Sequence, residues 1–340
     1  MITRRRMMGL AGLALVSTVL AAPLAAQSPA EIQSAVDAAY AKYKDLQEGA
    51  NADYIPALAA VDSNLFGIAV VTRDGKVYTA GDVKTEVSIQ SISKVFTMAQ
   101  VIQEQGPDAI AKTIGVDATG LRFNSIVGIE LANKAFGAAE MNALVNPGAI
   151  AATSKVKGDD ADAVWAKIIG TNDDFAGRSL SVQQDIYKSE SDTNQRNQAI
   201  GALMLAYGYI DQNWQQAVDL YTRQCSIGVN AKDLATMAAT LAFGGKNPVT
   251  GKQVMDADKV PYVLAVMATA GLYDDSGKWL FATGLPAKSG VGGGITAVSP
   301  GKFGIAVISP PLDEAGNSIR AQRAIADISN ALGGNPYAAN

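Results

Sequence analysis

Two groups of strand-like segments lie far apart in this chain, and their separation constrains the fold most. Two of the segments flank Asp74-Gly75, a strong two-residue hairpin signal. Three more come late in the chain, and the last two of these flank Pro300-Gly301-Lys302. The predicted strands are 66–72, 76–79, 279–282, 295–298 and 303–308. Distant strands can share one sheet only if the chain between them forms an insertion.

Helical patterns dominate between the two strand groups and also occur at both ends of the chain. An early helix follows Ser28, a plausible N-cap, and a last helix stops at Gly333-Gly334. The predicted helices include 29–48, 95–103, 141–144, 198–207, 231–242 and 316–332. The order predicts an α/β (α+β) fold, an antiparallel sheet flanked by terminal helices with a large inserted helical domain. The sheet domain is predicted at 27–92 and 271–340, and the helical domain at 93–270.

The first 26 residues form a separate segment with the pattern of an export signal. Three arginines, Arg4 to Arg6, precede an apolar stretch from Met7 to Leu20, and small residues follow up to Ala26. This order predicts a signal peptide spanning 1–26 and a secreted or periplasmic mature protein. No later segment reaches the ~18 uncharged apolar residues of a membrane span, so we expect no stable membrane anchor.

The chain contains no histidine, and this absence limits its chemistry. Catalytic Ser-His-Asp and Cys-His arrangements are excluded, together with most zinc sites, so a base must be lysine, a carboxylate or a tyrosinate. The single cysteine, Cys225, is interpreted as a buried small hydrophobic residue. We expect no metal and no cofactor, and the carboxylates at 159, 160 and 162 are interpreted as a solvated loop. A net charge of −4 makes nucleic acid an unsuitable partner.

A serine with a lysine one helical turn later provides a base without histidine, because residues i and i+3 share one helix face. Three pairs match this spacing: Ser91/Lys94, Ser154/Lys157 and Ser299/Lys302. The second pair runs into a polar loop, and the third lies in a turn between strands. Only Ser91 begins an apolar helix pattern, where free backbone N–H groups favour a developing oxyanion and burial would lower the pKa of Lys94.

A second motif, Lys288-Ser289-Gly290, opens a glycine-rich run on a late strand. Ser-x-x-Lys at an early helix with Lys-Ser/Thr-Gly on a late strand is the layout of penicillin-recognising serine enzymes. The glycine run is interpreted as a place where the backbone approaches a ligand closely, although a tight bulge would have the same composition.

Longer stretches of the chain resemble the serine-dependent glutaminase family more closely than any β-lactamase. The matching segments are distributed in order from about Ala52 to Ser318. They are Asp53-Tyr54-Ile55-Pro56, 88–94, Gly120-Leu121-Arg122-Phe123-Asn124, 145–150, Ser189-Glu190 with Arg196-Asn197, Tyr221 with 224–227, Tyr273-Asp274 and 284–291.

The resemblance implies a β-lactamase/transpeptidase-like fold and hydrolysis of L-glutamine to L-glutamate and ammonia. Ser91 would be the nucleophile and Lys94 its base, Tyr221 and Tyr273 would relay the proton, and the backbone N–H groups of Ser91 and Val291 would hold the oxyanion. The substrate-binding residues implied are Tyr54, Gln90, Ser91, Asn146, Glu190, Asn197, Tyr221, Tyr273 and Val291. The family also implies a homodimer or homotetramer.

Two other functions remain open from the sequence. A β-lactamase or D-alanyl peptidase shares the two motifs and fits export, although Ser191-Asp192-Thr193 is a poor substitute for its Ser-Asp-Asn motif. An inactive amino-acid binding module could keep the pocket without turnover. The Ser91/Lys94 pair argues against this second alternative.

Overall fold

A computed structural model describes residues 27–131, 141–211 and 213–338, so the predicted signal peptide lies outside the described residues. The strands are β1 (Gly67–Thr72), β2 (Val77–Gly81), β3 (Val87–Ser88), β4 (Gly228–Val229), β5 (Ala287–Gly290), β6 (Gly294–Ser299) and β7 (Phe303–Ile308). The helices are α1 (Pro29–Tyr43), α2 (Pro56–Ala59), α3 (Ser93–Gln105), α4 (Asp108–Ala111), α5 (Val127–Leu131), α6 (Asn146–Ser154), α7 (Ala161–Ala176), α8 (Gln184–Thr193), α9 (Gln195–Ala206), α10 (Trp214–Cys225), α11 (Ala231–Ala242), α12 (Val260–Ala270), α13 (Ser276–Thr283) and α14 (Ile319–Ala331).

Five strands form one antiparallel sheet in the order β2-β1-β7-β6-β5. The two predicted hairpins are confirmed, since β1 pairs with β2 and β6 pairs with β7. The early and late strand groups meet where β1 pairs antiparallel with β7. The two distant parts of the chain therefore build a single sheet, as the predicted fold class requires.

Both faces of this sheet are covered, which explains why its strands have continuous apolar sequences. Along β7, Ile305 and Val307 belong to the core beneath α1 and α14, whereas Ala306 and Ile308 face the core shared with the inserted helices. Side chains alternate between the two faces of a strand, so residues of opposite orientation all become buried. Helix α11 packs on β1, β6 and β7, and helix α12 contacts β5.

Both terminal helices begin directly after a serine cap, α1 at Pro29 as predicted and α14 at Ile319, three residues after its predicted start. The Ser28 side chain accepts a hydrogen bond from the Glu31 backbone, and the Glu31 side chain accepts from the Ser28 backbone, which forms a complete capping box. Ser318 caps α14 in the same manner by accepting from the Ala321 N–H. These two helices pack against each other on one face of the sheet.

The prediction of a strand at Trp279–Ala282 is wrong, because these residues belong to helix α13. Its buried residues are Ser276, Trp279 and Thr283, a spacing of three and four that is helical, and Phe281 is 94% exposed. Four apolar residues in a row do not distinguish a strand from a short helix. The third late strand is β5, which contains the Lys-Ser-Gly motif.

The prediction of a helix at Met141–Leu144 is also wrong. Asn142 pairs with Val116 in an isolated bridge, and its side chain accepts a hydrogen bond of 2.9 Å from the Leu144 N–H. An asparagine side chain that bonds the backbone two residues later forms a turn in place of a helix. Helix α6 begins at Asn146, with Pro147 in its first turn, where proline is favoured.

The fold class is confirmed: the structure is a mixed α/β fold with an antiparallel sheet and a large helical insertion. The inserted helices lie between β2 and β5 in the chain, and the exact domain limits given above stay a prediction. Within residues 27–131, 141–211 and 213–338, no helix is both long and apolar enough to cross a bilayer.

Candidate active site

Ser91 lies in a 3-10 turn, Gln90–Ile92, that joins β3 directly to α3. The preceding residue, Gln90, has φ = 50°, a left-handed conformation that costs a non-glycine residue about 1–3 kcal/mol. The turn is held by its neighbours: the Ser93 hydroxyl donates to the Gln90 carbonyl at 2.8 Å, and Gln90 Nε2 donates to the Ser88 hydroxyl at 3.2 Å. Strain at this position fixes the direction of the Ser91 side chain.

Lys94 lies one turn beyond Ser91 and is 1% exposed. Its Nζ atom donates to Asn146 Oδ1 at 2.6 Å and to the Leu144 carbonyl at 3.3 Å. Burial lowers the pKa of the Lys94 ammonium to about 7, because removing water penalises the charged form. A substantial fraction of this lysine is therefore neutral near pH 7 and can accept a proton.

A network of amide and hydroxyl groups extends from Lys94 across the pocket. Asn146 is the first residue of α6, and its Oδ1 atom also accepts a hydrogen bond of 3.1 Å from the Tyr221 hydroxyl. The Asn146 amide nitrogen donates to Asn197 Oδ1 at 2.9 Å. Four helices, α3, α6, α9 and α10, thus contribute one connected set of polar groups. The hydrogen bonds between these groups hold the side chains in place relative to each other.

Tyr273 is the phenol next to Ser91, and its hydroxyl lies within hydrogen-bonding reach of the Ser91 side chain. It has φ = 57°, and its hydroxyl donates to the Ser289 carbonyl at 3.4 Å. Lys288 Nζ lies 4.0 Å from the centre of the Tyr273 ring and donates to the same carbonyl at 2.7 Å. Burial raises the pKa of Tyr273 to about 12, so this hydroxyl is protonated at neutral pH.

Glu190 is the carboxylate of the pocket and is 6% exposed. Gln90 Nε2 donates to its Oε2 atom at 3.3 Å, which ties α8 to the turn that contains Ser91. Burial raises the pKa of Glu190 to about 7. A buried carboxylate with no ion pair to a described residue is poorly solvated and favours a cationic ligand.

The glycine-rich run after Lys288 lets the backbone approach the turn that contains Ser91. A Cβ atom on Gly290 would lie 2.8 Å from the Ile89 carbonyl oxygen, and one on Gly292 would lie 2.5 Å from the Ser88 carbonyl oxygen. Val291 lies between them in the turn from β5 to β6, and its N–H donates to no described residue. The glycines thus allow two backbone segments of the protein to pack closely, and their predicted approach to a ligand stays a prediction.

These elements enclose a cavity of about 270 Å³, at the lower end of the usual size of ligand pockets. The predicted site residues that line the cavity are Tyr54, Gln90, Ser91, Asn146, Glu190, Asn197, Tyr221 and Val291. Lys94 and Tyr273 lie behind this wall and contact it through Asn146 and Ser91. Tyr54 is 52% exposed and lies at the mouth of the cavity.

Six further lining residues were not predicted as site residues: Ile55, Phe123, Asn124, Thr193, Asn194 and Arg196. Four of them belong to the segments that carry the family resemblance, namely Ile55, Phe123, Asn124 and Arg196. Their place in those segments is the sequence signal that could have identified them as site residues. No group of three or more His, Cys, Asp or Glu side chains that could hold a metal occurs in the described part of the chain, and Asp160 instead caps α7.

The sheet order, the helical insertion, and the Ser-x-x-Lys turn facing a Lys-Ser-Gly strand together define a serine β-lactamase-like fold. The pocket at the junction of these elements is lined by a buried serine and a buried carboxylate, and a buried lysine lies behind its wall.

Comparison with known proteins identifies the family within this fold class. The family model described as Glutaminase matches residues 49–337, and the chain belongs to the glutaminase family. It is 55% identical over 318 residues to a glutaminase of Colwellia psychrerythraea, covering 92% of this chain and 100% of that protein. It is 50% identical over 305 residues to a glutaminase of Mycobacterium ulcerans, covering 90% and 94% of the two chains.

Solved structures agree with this assignment. The probable glutaminase ybaS superposes with a TM-score of 0.89 at 45% identity and covers 92% of this chain and 100% of its own. Mglu in its glutamate form superposes with a TM-score of 0.86 at 34% identity, covering 91% and 70% of the respective chains.

Proposed function

We propose that this protein hydrolyses L-glutamine to L-glutamate and ammonia through an acyl-enzyme on Ser91. The observation that carries the proposal is one small cavity that contains Ser91, with a buried lysine of lowered pKa behind it and a buried carboxylate on its wall. The names of the relatives support glutamine as the substrate, and the glutamate form of Mglu supports binding of an amino acid by a related pocket.

In the first half-reaction, Lys94 takes the proton of Ser91, directly or through the Tyr273 hydroxyl that bonds Ser91. The serine oxygen attacks the carboxamide carbon, and the backbone N–H groups of Ser91 and Val291 hold the resulting oxyanion, at about 3 kcal/mol for each donor. The proton then passes to the departing nitrogen, which leaves as ammonia. Water attacks the ester by the same route in reverse and releases glutamate.

The pocket provides complementary groups for the rest of the substrate. Glu190 pairs with the α-ammonium, and its burial makes that charge-assisted bond strong. The amides of Asn146 and Asn197 and the hydroxyls of Tyr54 and Tyr221 bind the carboxylate and the side-chain carbonyl. A substrate held by its α-ammonium and its carboxamide together has a free amino group and a side chain of defined length.

Ammonia release from a substrate panel tests the proposed function. L-glutamine is expected to be hydrolysed, and D-glutamine, L-asparagine and the β-lactam nitrocefin are measured beside it. Turnover of nitrocefin without turnover of glutamine would favour the β-lactamase or D-alanyl peptidase alternative. Tight glutamine binding without ammonia release would favour an inactive binding module.

Replacement of Glu190 by glutamine is expected to raise the KM for L-glutamine by about a hundredfold. The change removes the charge that pairs with the α-ammonium, and a buried charged pair is worth about 3 kcal/mol when one partner is lost. N-acetylglutamine, which has no ammonium, should be a poor substrate for the wild type. Equal wild-type rates on glutamine and its N-acetyl form would show that Glu190 has another role.

Replacement of Gly292 by alanine is expected to lower kcat by about a hundredfold, because the added Cβ atom displaces the β5–β6 turn and its Val291 donor. Gly277→Ala is a matched control, since a Cβ atom there meets nothing within 4 Å. Ammonia release and the melting temperature are measured for both variants. Normal kcat in a folded Gly292→Ala protein would argue against the Val291 N–H as an oxyanion donor.

We also propose that the protein is exported, is cleaved after its leader at 1–26 and works in the periplasm or outside the cell as a homodimer or homotetramer. The charge and apolar pattern of the leader supports export. Fractionation of expressing cells and N-terminal sequencing of the mature protein test export, and light scattering of the purified protein tests the oligomeric state. A chain that keeps Met1 in the cytoplasm would contradict the first proposal.

A further inference from the structure

The described residues that line the cavity include two charged side chains, Glu190 and Arg196. They have opposite signs, and they differ in their exposure. Glu190 is 6% exposed, whereas Arg196 lies among the exposed residues. The cavity therefore has an anion in its wall and a cation at its rim.

Arg196 is the second residue of α9. Its Nε atom donates to the Asn124 carbonyl at 2.8 Å, and Asn124 also lines the cavity. Arg196 forms no salt bridge with any residue in the described ranges. One nitrogen is thus anchored at the cavity, and the charge of the guanidinium is not neutralised by a described carboxylate.

Five residues of the segment from Glu190 to Asn197 line the cavity. Thr193 and Asn194, at the junction of α8 and α9, line the cavity between the two charges. Glu190 is also tied through Gln90 to the turn that contains Ser91, so the anion lies toward the nucleophile and the cation toward the rim. An α-amino acid carries one cation and one anion on a single carbon atom, and opposite charges on one side of a pocket complement that pair.

We propose that Arg196 is a specificity-determining residue that attracts the α-carboxylate of the substrate while Glu190 takes its α-ammonium. This inference rests on the proposed hydrolysis of glutamine at Ser91 and adds selection for a free carboxyl terminus. Glutamine whose carboxyl group is blocked as an amide lacks the negative charge that Arg196 recognises. The exposure of Arg196 makes its contribution modest and sensitive to salt.

The test compares L-glutamine with L-glutaminamide, whose α-carboxylate is replaced by an amide, in the intact protein. Arg196→Gln should raise KM for L-glutamine by about fivefold with little change in kcat, and it should leave KM for glutaminamide nearly unchanged. The ratio of kcat/KM values for the two substrates should therefore fall by about fivefold. The loss should diminish at high ionic strength.

Two further variants separate charge from structure. Arg196→Lys keeps the charge and loses the anchored Nε atom, so it should retain most of the discrimination between glutamine and glutaminamide. If it behaves like Arg196→Gln, the contact with Asn124 is responsible for the discrimination and the charge is not. Arg73→Gln removes another exposed arginine, which donates to the Gly301 carbonyl away from the cavity. It should leave KM for both substrates unchanged.

The outcomes also separate this inference from the proposed function. A wild-type protein that releases no ammonia from glutamine overturns the proposed function itself. If the wild type is active, equal losses of Arg196→Gln on both substrates, or no loss on either, overturn the role of Arg196 and leave the Ser91 proposal intact.

Discussion

Replacement of Ser91 by alanine is expected to abolish ammonia release, with a loss on the order of a millionfold in kcat, as when the nucleophile of a serine hydrolase is removed. The fold should survive, because the change removes one hydroxyl, which lies within hydrogen-bonding reach of Tyr273. A single hydrogen bond contributes about 1 kcal/mol to stability. Ammonia release and the melting temperature together measure both effects.

Ser154→Ala is a matched control for this experiment. Ser154 belongs to a second Ser-x-x-Lys pair, but it ends α6, its hydroxyl donates to the Ala151 carbonyl, and it is not among the residues that line the cavity. The control should retain full activity. Retention of more than a few per cent of turnover in a folded Ser91→Ala protein would show that another group is the nucleophile.

Local signals in the sequence were sufficient for most of the fold. The capping residue Ser28 and the Asp74-Gly75 turn specify structure through groups only a few residues away, so the elements that they begin or join were correctly predicted. The errors at 141–144 and 279–282 arose where a short apolar run was interpreted without its environment. Only tertiary packing reveals that Phe281 is exposed while Trp279 is buried.

The site shows the same division between local and long-range information. The Ser91/Lys94 pair could be predicted from its spacing of one helical turn. The lowered pKa of Lys94 could be predicted from the apolar residues of the same helix, because they bury the lysine. The hydrogen bond from Lys94 to Asn146 joins residues separated by 52 positions, and no local pattern predicts it. Asn146 was therefore found only through the family resemblance, and the left-handed conformation of Gln90 was not predicted.

The two candidate bases of the proposed mechanism differ in their pKa values. Tyr273 contacts Ser91 directly, but burial raises its pKa to about 12, so its phenolate is scarce at neutral pH. Lys94 lies behind Asn146, and burial lowers its pKa to about 7. The pKa values therefore favour Lys94 as the proton acceptor and Tyr273 as a protonated relay, in agreement with the rule that an effective base titrates near the working pH.

Replacement of Lys94 by arginine is expected to lower kcat/KM by about a thousandfold or more, as severely as Lys94→Ala. Arginine keeps the positive charge but does not lose its proton, so it cannot act as a base. Ammonia-release kinetics of both variants measure the loss, and circular dichroism verifies the fold. An electrostatic role for Lys94 would instead leave Lys94→Arg far more active than Lys94→Ala.

The pH profile of the wild type provides the decisive part of this test. Below a pH of about 7 Lys94 becomes protonated and cannot accept the serine proton, and Glu190, whose burial also raises its pKa to about 7, loses the charge that binds the ammonium. Both groups must be deprotonated for activity. Well below pH 7, kcat/KM should therefore decrease by about a hundredfold for each pH unit. Glu190→Gln removes one of them and should leave about a tenfold fall per unit. A Lys94→Arg protein with near-normal turnover and an unchanged acid limb would assign the base to Tyr221 or Tyr273.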